Sequence, residues 1–232
     1  MNKIGIIAAM EEEMREIKNI MSDVRNSKIY ELDFIEGKIN GQNVILVKSG
    51  IGKVNAARVT QFLIDKYEVN SVINVGSAGA ANSELNIGDI VIGKNIVQHD
   101  FDLTAFGYPK GYISNVGLEI QSDKQMVDKM NSTIELLNNK EEKVVFGTIA
   151  SGDIFCTEVS MKDKIRKKFN ADAIEMEGAA IAQVCKLCNI PFIVVRGISD
   201  SPNGNNNITF EKYLDKASKR CANILYKYFE IN

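Results

Sequence analysis

The 232-residue sequence predicts an α/β fold: a three-layer α/β/α sandwich around a mixed, largely parallel central sheet. Three observations predict it. Apolar runs of strand length recur along the chain, and amphipathic segments of helix length lie between many of them. Near the start, an Asn40-Gly41 turn joins two strand-like runs as a hairpin, which requires at least one antiparallel pair. With 45% hydrophobic and 25% charged residues the chain is long enough to bury one sizeable core. No linker composition or repeat divides residues 1–232, so one domain is expected.

The elements follow in order. Residues 4–9, Ile-Gly-Ile-Ile-Ala-Ala, are continuously apolar, as a strand buried on both faces must be. A helix is expected over 10–21, then the hairpin strands 34–39 and 44–47, a helix over 53–66 and a strand over 72–75. A further strand falls within 87–97, followed by a helix over 124–137 and a strand over 144–150. The chain then alternates helix 162–169, strand 171–174, helix 176–188, strand 192–195 and helix 209–229. The run Lys162, Lys164, Arg166, Lys167 and Lys168, broken by Asp163, reads as a solvated helix face.

Charge and composition exclude several function classes. A formal net charge of −2 offers no positive field for a nucleic acid or an anionic membrane. The apolar run from Ile4 to Met10 has the length of a weak signal-peptide core, but Glu11, Glu12 and Glu13 follow at once. No other apolar run approaches the roughly 20 residues of a membrane span, so a cytoplasmic protein is expected. Cys185 and Cys188 lie three apart in a helical pattern, Cys156 and Cys221 stand alone, and His99 is the single histidine. Four free thiols are expected, with no metal and no cofactor.

In sheets of this kind functional groups gather where strands end and loops begin. Three such ends carry acids. The first strand runs into Glu11-Glu12-Glu13, and the roughly 100° between successive helical residues lets only one or two of these face the sheet end. Glu175-Met176-Glu177 interrupts an apolar, small-residue stretch, so its acids need polar partners. Asp200 follows Arg196-Gly197-Ile198-Ser199, where it is either a turn former or a functional acid. Two glycine-rich turns complete the pattern. Ser49-Gly50-Ile51-Gly52-Lys53-Val54 lacks the spacing of a P-loop, and Gly76-Ser77-Ala78-Gly79 lacks the third glycine of a dinucleotide fingerprint. Their glycines instead allow close backbone approach or a positive φ, leaving room for a small flat ligand without phosphate.

These strings, together with Thr104-Ala105-Phe106-Gly107-Tyr108 and Ser151-Gly152-Asp153, occur in the order and at the spacing found in the methylthioadenosine/S-adenosylhomocysteine nucleosidases, which the chain resembles from residue 3 to about 228. The resemblance implies a nucleoside phosphorylase-like fold and hydrolysis of the N-glycosidic bond of 5′-methylthioadenosine and S-adenosylhomocysteine, and also of 5′-deoxyadenosine, in methionine salvage. It implies Glu13 as the base that activates water, with Ser77 and Arg196 helping to hold it, and Asp200 as the acid at adenine N7, oriented by Ser199. It places Glu177 on the ribose hydroxyls, Met176 and Phe155 against ribose and base, Phe210 over the base, and main-chain groups near Phe155 and Cys156 at the adenine edge. Ala78, Gly79 and Glu175 complete the substrate-binding set. Ile51, with Leu103 and Phe106 of a neighbouring chain, lines the alkylthio channel, which implies a homodimer. Cys156 replaces an aliphatic residue and Ser114 a common proline.

The chemistry suits these residues. N-glycoside cleavage through an oxocarbenium-like state needs an acid for the departing purine and a base for water, the two-carboxylate logic of inverting glycosidases. A phosphorolytic relative would want a cationic cradle where this chain has Glu11-Glu12-Glu13. Cleavage of another 5′-modified adenine nucleoside, such as aminodeoxyfutalosine, uses the same residues and stays open. A non-catalytic nucleoside-binding protein would have lost one of Glu13, Glu177 and Asp200, and all three are present.

Overall fold

The computed structural model describes residues 3–137, 143–200 and 206–231, the side chains of 206–212 excepted. The order of elements is β1 (Lys3–Ala8), α1 (Glu11–Lys18), β2 (Ser22–Ile29), β3 (Leu32–Ile39), β4 (Gln42–Lys48), α2 (Lys53–Tyr67), β5 (Ser71–Ala80) and β6 (Ile90–Gln98). Then come a single 3₁₀ turn (Thr104–Phe106), β7 (Ile120–Gln121), α3 (Lys124–Leu137), β8 (Val144–Ser151), α4 (Val159–Phe169), β9 (Ala171–Glu175), α5 (Gly178–Leu187), β10 (Phe192–Asp200) and α6 (Asn206–Glu230). Every strand and helix expected from the sequence is present. Two strands are additional. The β2 segment, Ser-Asp-Val-Arg-Asn-Ser-Lys-Ile, is exposed along most of its length and carries no alternation to reveal it; it exists as an edge because β3 offers it a ladder. The hairpin turn has the expected form, with Asn40 at φ 48° and Gly41 at φ 80°.

The strands form one sheet in the order β10-β6-β8-β9-β5-β1-β4-β3-β2, with β7 beside β6. Because β10 also pairs with β5, the five strands β5, β10, β6, β8 and β9 close into a ring. The sheet is mixed, as expected, but less parallel than its sequence suggests. Among the described residues five pairings are parallel and five antiparallel. Short connections join β2, β3 and β4, and such connections permit only antiparallel neighbours. Closure of the ring through β10–β6 and β5–β9 supplies two more.

Helices cover both faces. On one, α2 and α5 pack Leu63, Ala179 and Ile181 against Ile7, Phe34 and Val47. On the other, α1, α3 and α6 pack Met14, Ile17, Met130 and Leu225 against Ile6, Leu46 and Ile73. The α4 helix covers a smaller third cluster through Ile165 and Phe169.

The feature that positions the site is the length of β5 and β10. Each runs five residues past the apolar stretch legible in the sequence, to Ala80 and Asp200. These extensions are Gly-Ser-Ala-Gly-Ala and Arg-Gly-Ile-Ser-Asp, poor strand formers. They are held extended by each other, with Arg196 opposite Gly76, Gly197 opposite Ser77, Ile198 opposite Ala78 and, after a bulge, Asp200 opposite Gly79. Two motifs 120 residues apart thus lie side by side.

Phe34 tests the core. It is fully buried and its ring lies 4.7 Å from that of Tyr67. Phe34→Ala should lower unfolding free energy by about 3–5 kcal/mol in a urea titration with an unchanged m-value. A loss below about 1 kcal/mol would show that this cluster does not anchor α2 to the sheet.

Candidate active site

The ends of β1, β5, β9 and β10 surround a cavity of about 380 Å³, within the range of roughly 300–1,000 Å³ usual for small-molecule sites. Its wall includes Ala9, Met10, Glu13, Ile51, Ser77, Ala78, Gly79, Phe155, Glu175, Met176, Glu177 and Asp200. A larger groove of about 720 Å³ runs past Asn40, Lys129 and Tyr228, but no buried acid opens onto it. Chemistry therefore selects the smaller cavity.

Of the three successive acids only Glu13 faces it. Glu11 pairs with Lys48 at the surface, whereas Glu13 is 3% exposed. One Glu13 oxygen accepts the N–H groups of Ala9 and Met10 at 3.0 and 3.1 Å, satisfying donors at the start of α1. The other accepts the N–H and hydroxyl of Ser77 at 2.8 and 3.0 Å. Gly76 makes this possible, since a Cβ there would stand 2.9 Å from Glu13 Oε1. Burial pushes the Glu13 carboxyl above its ordinary value; the Arg196 charge and the main-chain donors oppose this without cancelling it.

Arg196 is 1% exposed and supplies the positive charge for the acids of the β9 end. Its guanidinium donates to Glu175, to Asn74 Oδ1 at 2.5 Å and to the Val195 carbonyl at 3.1 Å, and it lies 3.9 Å from Glu177. Glu175 also accepts the Ser151 hydroxyl and the N–H groups of Glu177 and Gly178. Burial works against its charge, but Arg196 and these donors outweigh burial and hold it below the ordinary carboxylate range. Glu177 receives less. It accepts the Gly52 N–H at 2.9 Å, and burial together with the Glu175 charge pushes its carboxyl up.

Asp200 closes the other side of the cavity. Gly79 leaves it space, since a Cβ there would meet both carboxylate oxygens at 2.9 Å. Its partner corrects the sequence reading of α4: Lys162 is not on the solvated face but buried, with Nζ 2.6 Å from Asp200 Oδ2. Lys164, Lys167 and Lys168 are exposed as expected. Burial raises the Asp200 carboxyl and Lys162 opposes it; burial prevails.

The sequence profile of the phosphorylase superfamily matches residues 3–230. The methylthioadenosine/S-adenosylhomocysteine nucleosidase of Staphylococcus haemolyticus is 42% identical over 223 residues, 96% of each chain. The chain belongs to the methylthioadenosine/S-adenosylhomocysteine nucleosidases of the phosphorylase superfamily. Its fold is similar to that of the nucleosidase from Colwellia psychrerythraea 34H in complex with adenine, with TM-score 0.94, 38% identity, and 98% and 94% of the two chains covered. It is also similar to futalosine hydrolase of Helicobacter pylori, with TM-score 0.92, 31% identity, and 98% and 97% covered.

Set against the residues expected of a nucleosidase, the structure gathers Glu13, Ile51, Ser77, Ala78, Gly79, Phe155, Glu175, Met176, Glu177 and Asp200 around one cavity. Some supporting partners differ from expectation. Glu13 is held by Ser77 and main-chain donors, and Arg196 acts on it only through its field. Glu175 lines the wall, but its oxygens are engaged by the protein itself. The Ser199 hydroxyl donates to the Ala78 carbonyl at 3.4 Å rather than to Asp200. Cys156 is buried next to Phe155 of the cavity wall, Leu103 caps the start of the 3₁₀ turn, and Phe106 ends that turn, 78% exposed. The side chain of Phe210 lies outside the described residues.

Two contributors escaped the sequence reading, Lys162 and Asn74, and Ser151 entered it only within a family string, without its bond to Glu175. A signal existed for the first, since Lys162 shares the 162/165/169 helical spacing of the buried Ile165 and Phe169. Asn74 stands alone inside the apolar Val72-Ile73-Asn74-Val75, and a lone polar residue in a buried strand demands a partner.

The crowding of acids has a measurable cost. A carboxyl whose pKa is raised on folding adds stability that is present below its ordinary value of 4.5 and lost as pH rises through the raised one. Glu177→Gln keeps the acceptor for Gly52 but removes the charge facing Glu175. It should therefore raise Tm at pH 8, by roughly 2–4 °C for each 1 kcal/mol regained, and change it little at pH 4, while turnover falls. Equal effects on Tm at the two pH values would refute this electrostatic account.

Proposed function

We infer that this nucleosidase cleaves the N-glycosidic bond of 5′-methylthioadenosine and S-adenosylhomocysteine by water attack, with Glu13 as base and Asp200 as acid, releasing adenine and the 5′-thio-substituted ribose. The observation that carries the assignment of roles is the placement of two buried carboxylates against Gly76 and Gly79 of one strand. Three residues of strand at about 3.3 Å each set these positions roughly 10 Å apart. Such a separation suits a base that aims water at one face of the sugar and an acid that meets the leaving group on the other.

Water enters the reaction by giving a proton to Glu13 as its oxygen bonds to C1′. The C1′–N9 electron pair passes into the purine, and N7 takes the Asp200 proton. A raised Asp200 pKa favours the protonated acid this step requires. Glu177 holds the ribose hydroxyls beside the developing cation, while Met176 and Phe155 pack on ribose and base. A phosphate nucleophile would meet Glu13 on the water side, and Arg196, the buried guanidinium nearby, is already committed to Glu175. Water is favoured for that reason. The futalosine hydrolase likeness keeps the 5′ substituent the most open part of the specificity.

The reading includes a homodimer. Ile51 before α2 and Val54 in its first turn, Ile154 and Phe155 after β8, and Phe106 on the 3₁₀ turn are exposed apolar residues. The start of α2 is tied to the other two segments where Lys53 pairs with Asp100 at 2.7 Å and Asp153 accepts the Lys53 N–H. Exposed apolar side chains gathered on neighbouring segments, two of them, Ile51 and Phe155, at the cavity wall, are what an interface would cover. A second copy seated there would bring Leu103 and Phe106 to the 5′ end of the site. A cytoplasmic setting fits the four free thiols.

Two tests follow from this reading. Glu13→Gln and Asp200→Asn should each lower turnover of methylthioadenosine about 100-fold or more with the fold intact. The wild-type products should be adenine and free thio-sugar, with or without phosphate; a phosphate-dependent sugar phosphate, or near-normal turnover in either variant, would overturn the roles. For the dimer, Phe106→Ala should raise KM for methylthioadenosine. A fully active monomer in sedimentation, or an unchanged KM, would count against a shared site.

A further inference from the structure

Lys162 belongs to none of the motifs shared with the nucleosidases, yet it is among the largest fully buried side chains. Its pair with Asp200 is dry, at 1% and 3% side-chain exposure. Stripping water from two such groups costs about as much as their attraction returns, so a buried pair is a poor device for stability. The other lysines of α4 reach solvent. What Lys162 does is therefore to be sought in what Asp200 does.

The groups around Asp200 make Lys162 the dominant charge upon it. From β5 comes Gly79, which has no side chain to offer, and from α4 comes Lys162. The segment before α4 contributes Cys156, a buried thiol that feels both charges and is itself pushed up to about 11 by burial. At the end of β9 the acids Glu175 and Glu177 are directed to Arg196 and to the Gly52 N–H.

We propose that Lys162 is a positioning residue for leaving-group departure: it fixes one oxygen of Asp200 and balances the carboxylate that forms when the purine takes the proton. The proposal rests on the assignment of Asp200 as the acid. In the step itself the Asp200 O–H bond breaks, the N7–H bond forms, and the C1′–N9 electron pair enters the purine. Asp200 is left as a carboxylate facing Lys162, whose Nζ stands 2.6 Å from Oδ2. A proton from solvent restores the acid after adenine leaves. Because charge appears on Asp200 only as the bond breaks, the ammonium interacts more strongly with the transition state than with bound substrate, and its contribution falls on kcat. The same ammonium lowers the pH at which Asp200 loses its proton, so it also sets the alkaline limb of the rate profile.

The test is Lys162→Met, which keeps the length and apolar stem without the charge, with Lys162→Gln as a second variant should Met fail to fold. Expected in a folded variant are a kcat lower by about tenfold or more, a KM little changed, and an alkaline limb of kcat displaced to higher pH. A wild-type kcat with an unmoved limb would overturn the proposal. So would a lower kcat with an unmoved limb, since that is what a packing defect produces. Asp200→Asn, measured alongside, separates the two assignments. If it turns over normally, the role of Asp200 itself fails; if it is impaired while the Lys162 variants are unaltered, only the role of Lys162 fails.

Discussion

The guanidinium of Arg196 sits among Glu13, Glu175 and Glu177, and the distribution of its one positive charge sorts those three carboxylates into different chemical states. Glu175 takes the direct bonds and stays ionised. Glu177, at 3.9 Å, receives a smaller share and also faces the Glu175 charge, so its proton is held more tightly. Glu13 feels Arg196 only at a distance and depends on four N–H and O–H donors from β5 and the start of α1. Asn74 and the Val195 carbonyl fix the guanidinium from two strands. Without that cation, three acids would share one dry region, an arrangement whose repulsion and desolvation would force protonation or local unfolding.

The second constraint is absence of side chains. On β5, Gly76 and Gly79 are bare at the two places where Glu13 and Asp200 must approach the strand. Neither has a positive φ, so they serve close approach alone. Gly50 and Gly52, at φ 81° and 98°, serve the other purpose. They turn the loop so that the Gly52 N–H meets Glu177, joining the start of α2 to the acid end of β9.

Such a site is held against its own electrostatics. Glu13, Glu175, Glu177 and Asp200 are gathered with the cations Arg196 and Lys162 around one cavity, all of them buried, while the two large helix-covered clusters are built from apolar side chains. The ring of β5, β10, β6, β8 and β9 supplies the rigidity, because each strand of the ring is paired on both sides. Stability is thus surrendered where carboxyl groups must hold or accept protons, and recovered in the two helix-covered clusters, a division usual for enzymes.

The elements and the candidate acids were legible along the chain. Continuous apolar runs and helical periodicity revealed most strands and the helices, and Asn40-Gly41 revealed the hairpin, because these depend on neighbours within a few residues. Glu13, Glu175, Glu177 and Asp200 were legible as acids at strand ends, and their family resemblance supplied expected roles. How the acids differ came with the packing. Glu175 and Glu177 are two positions apart with identical side chains, and Arg196 and Ser151 separate them. Lys162 looked like any lysine on a charged helix until α4 packed it 38 residues away against Asp200. The polar extensions of β5 and β10 exist because each completes the other's ladder, and β2 exists because β3 does. A residue's chemistry is written in the chain, but burial and the choice of partner are properties of what lies across the space, and folding alone supplies those.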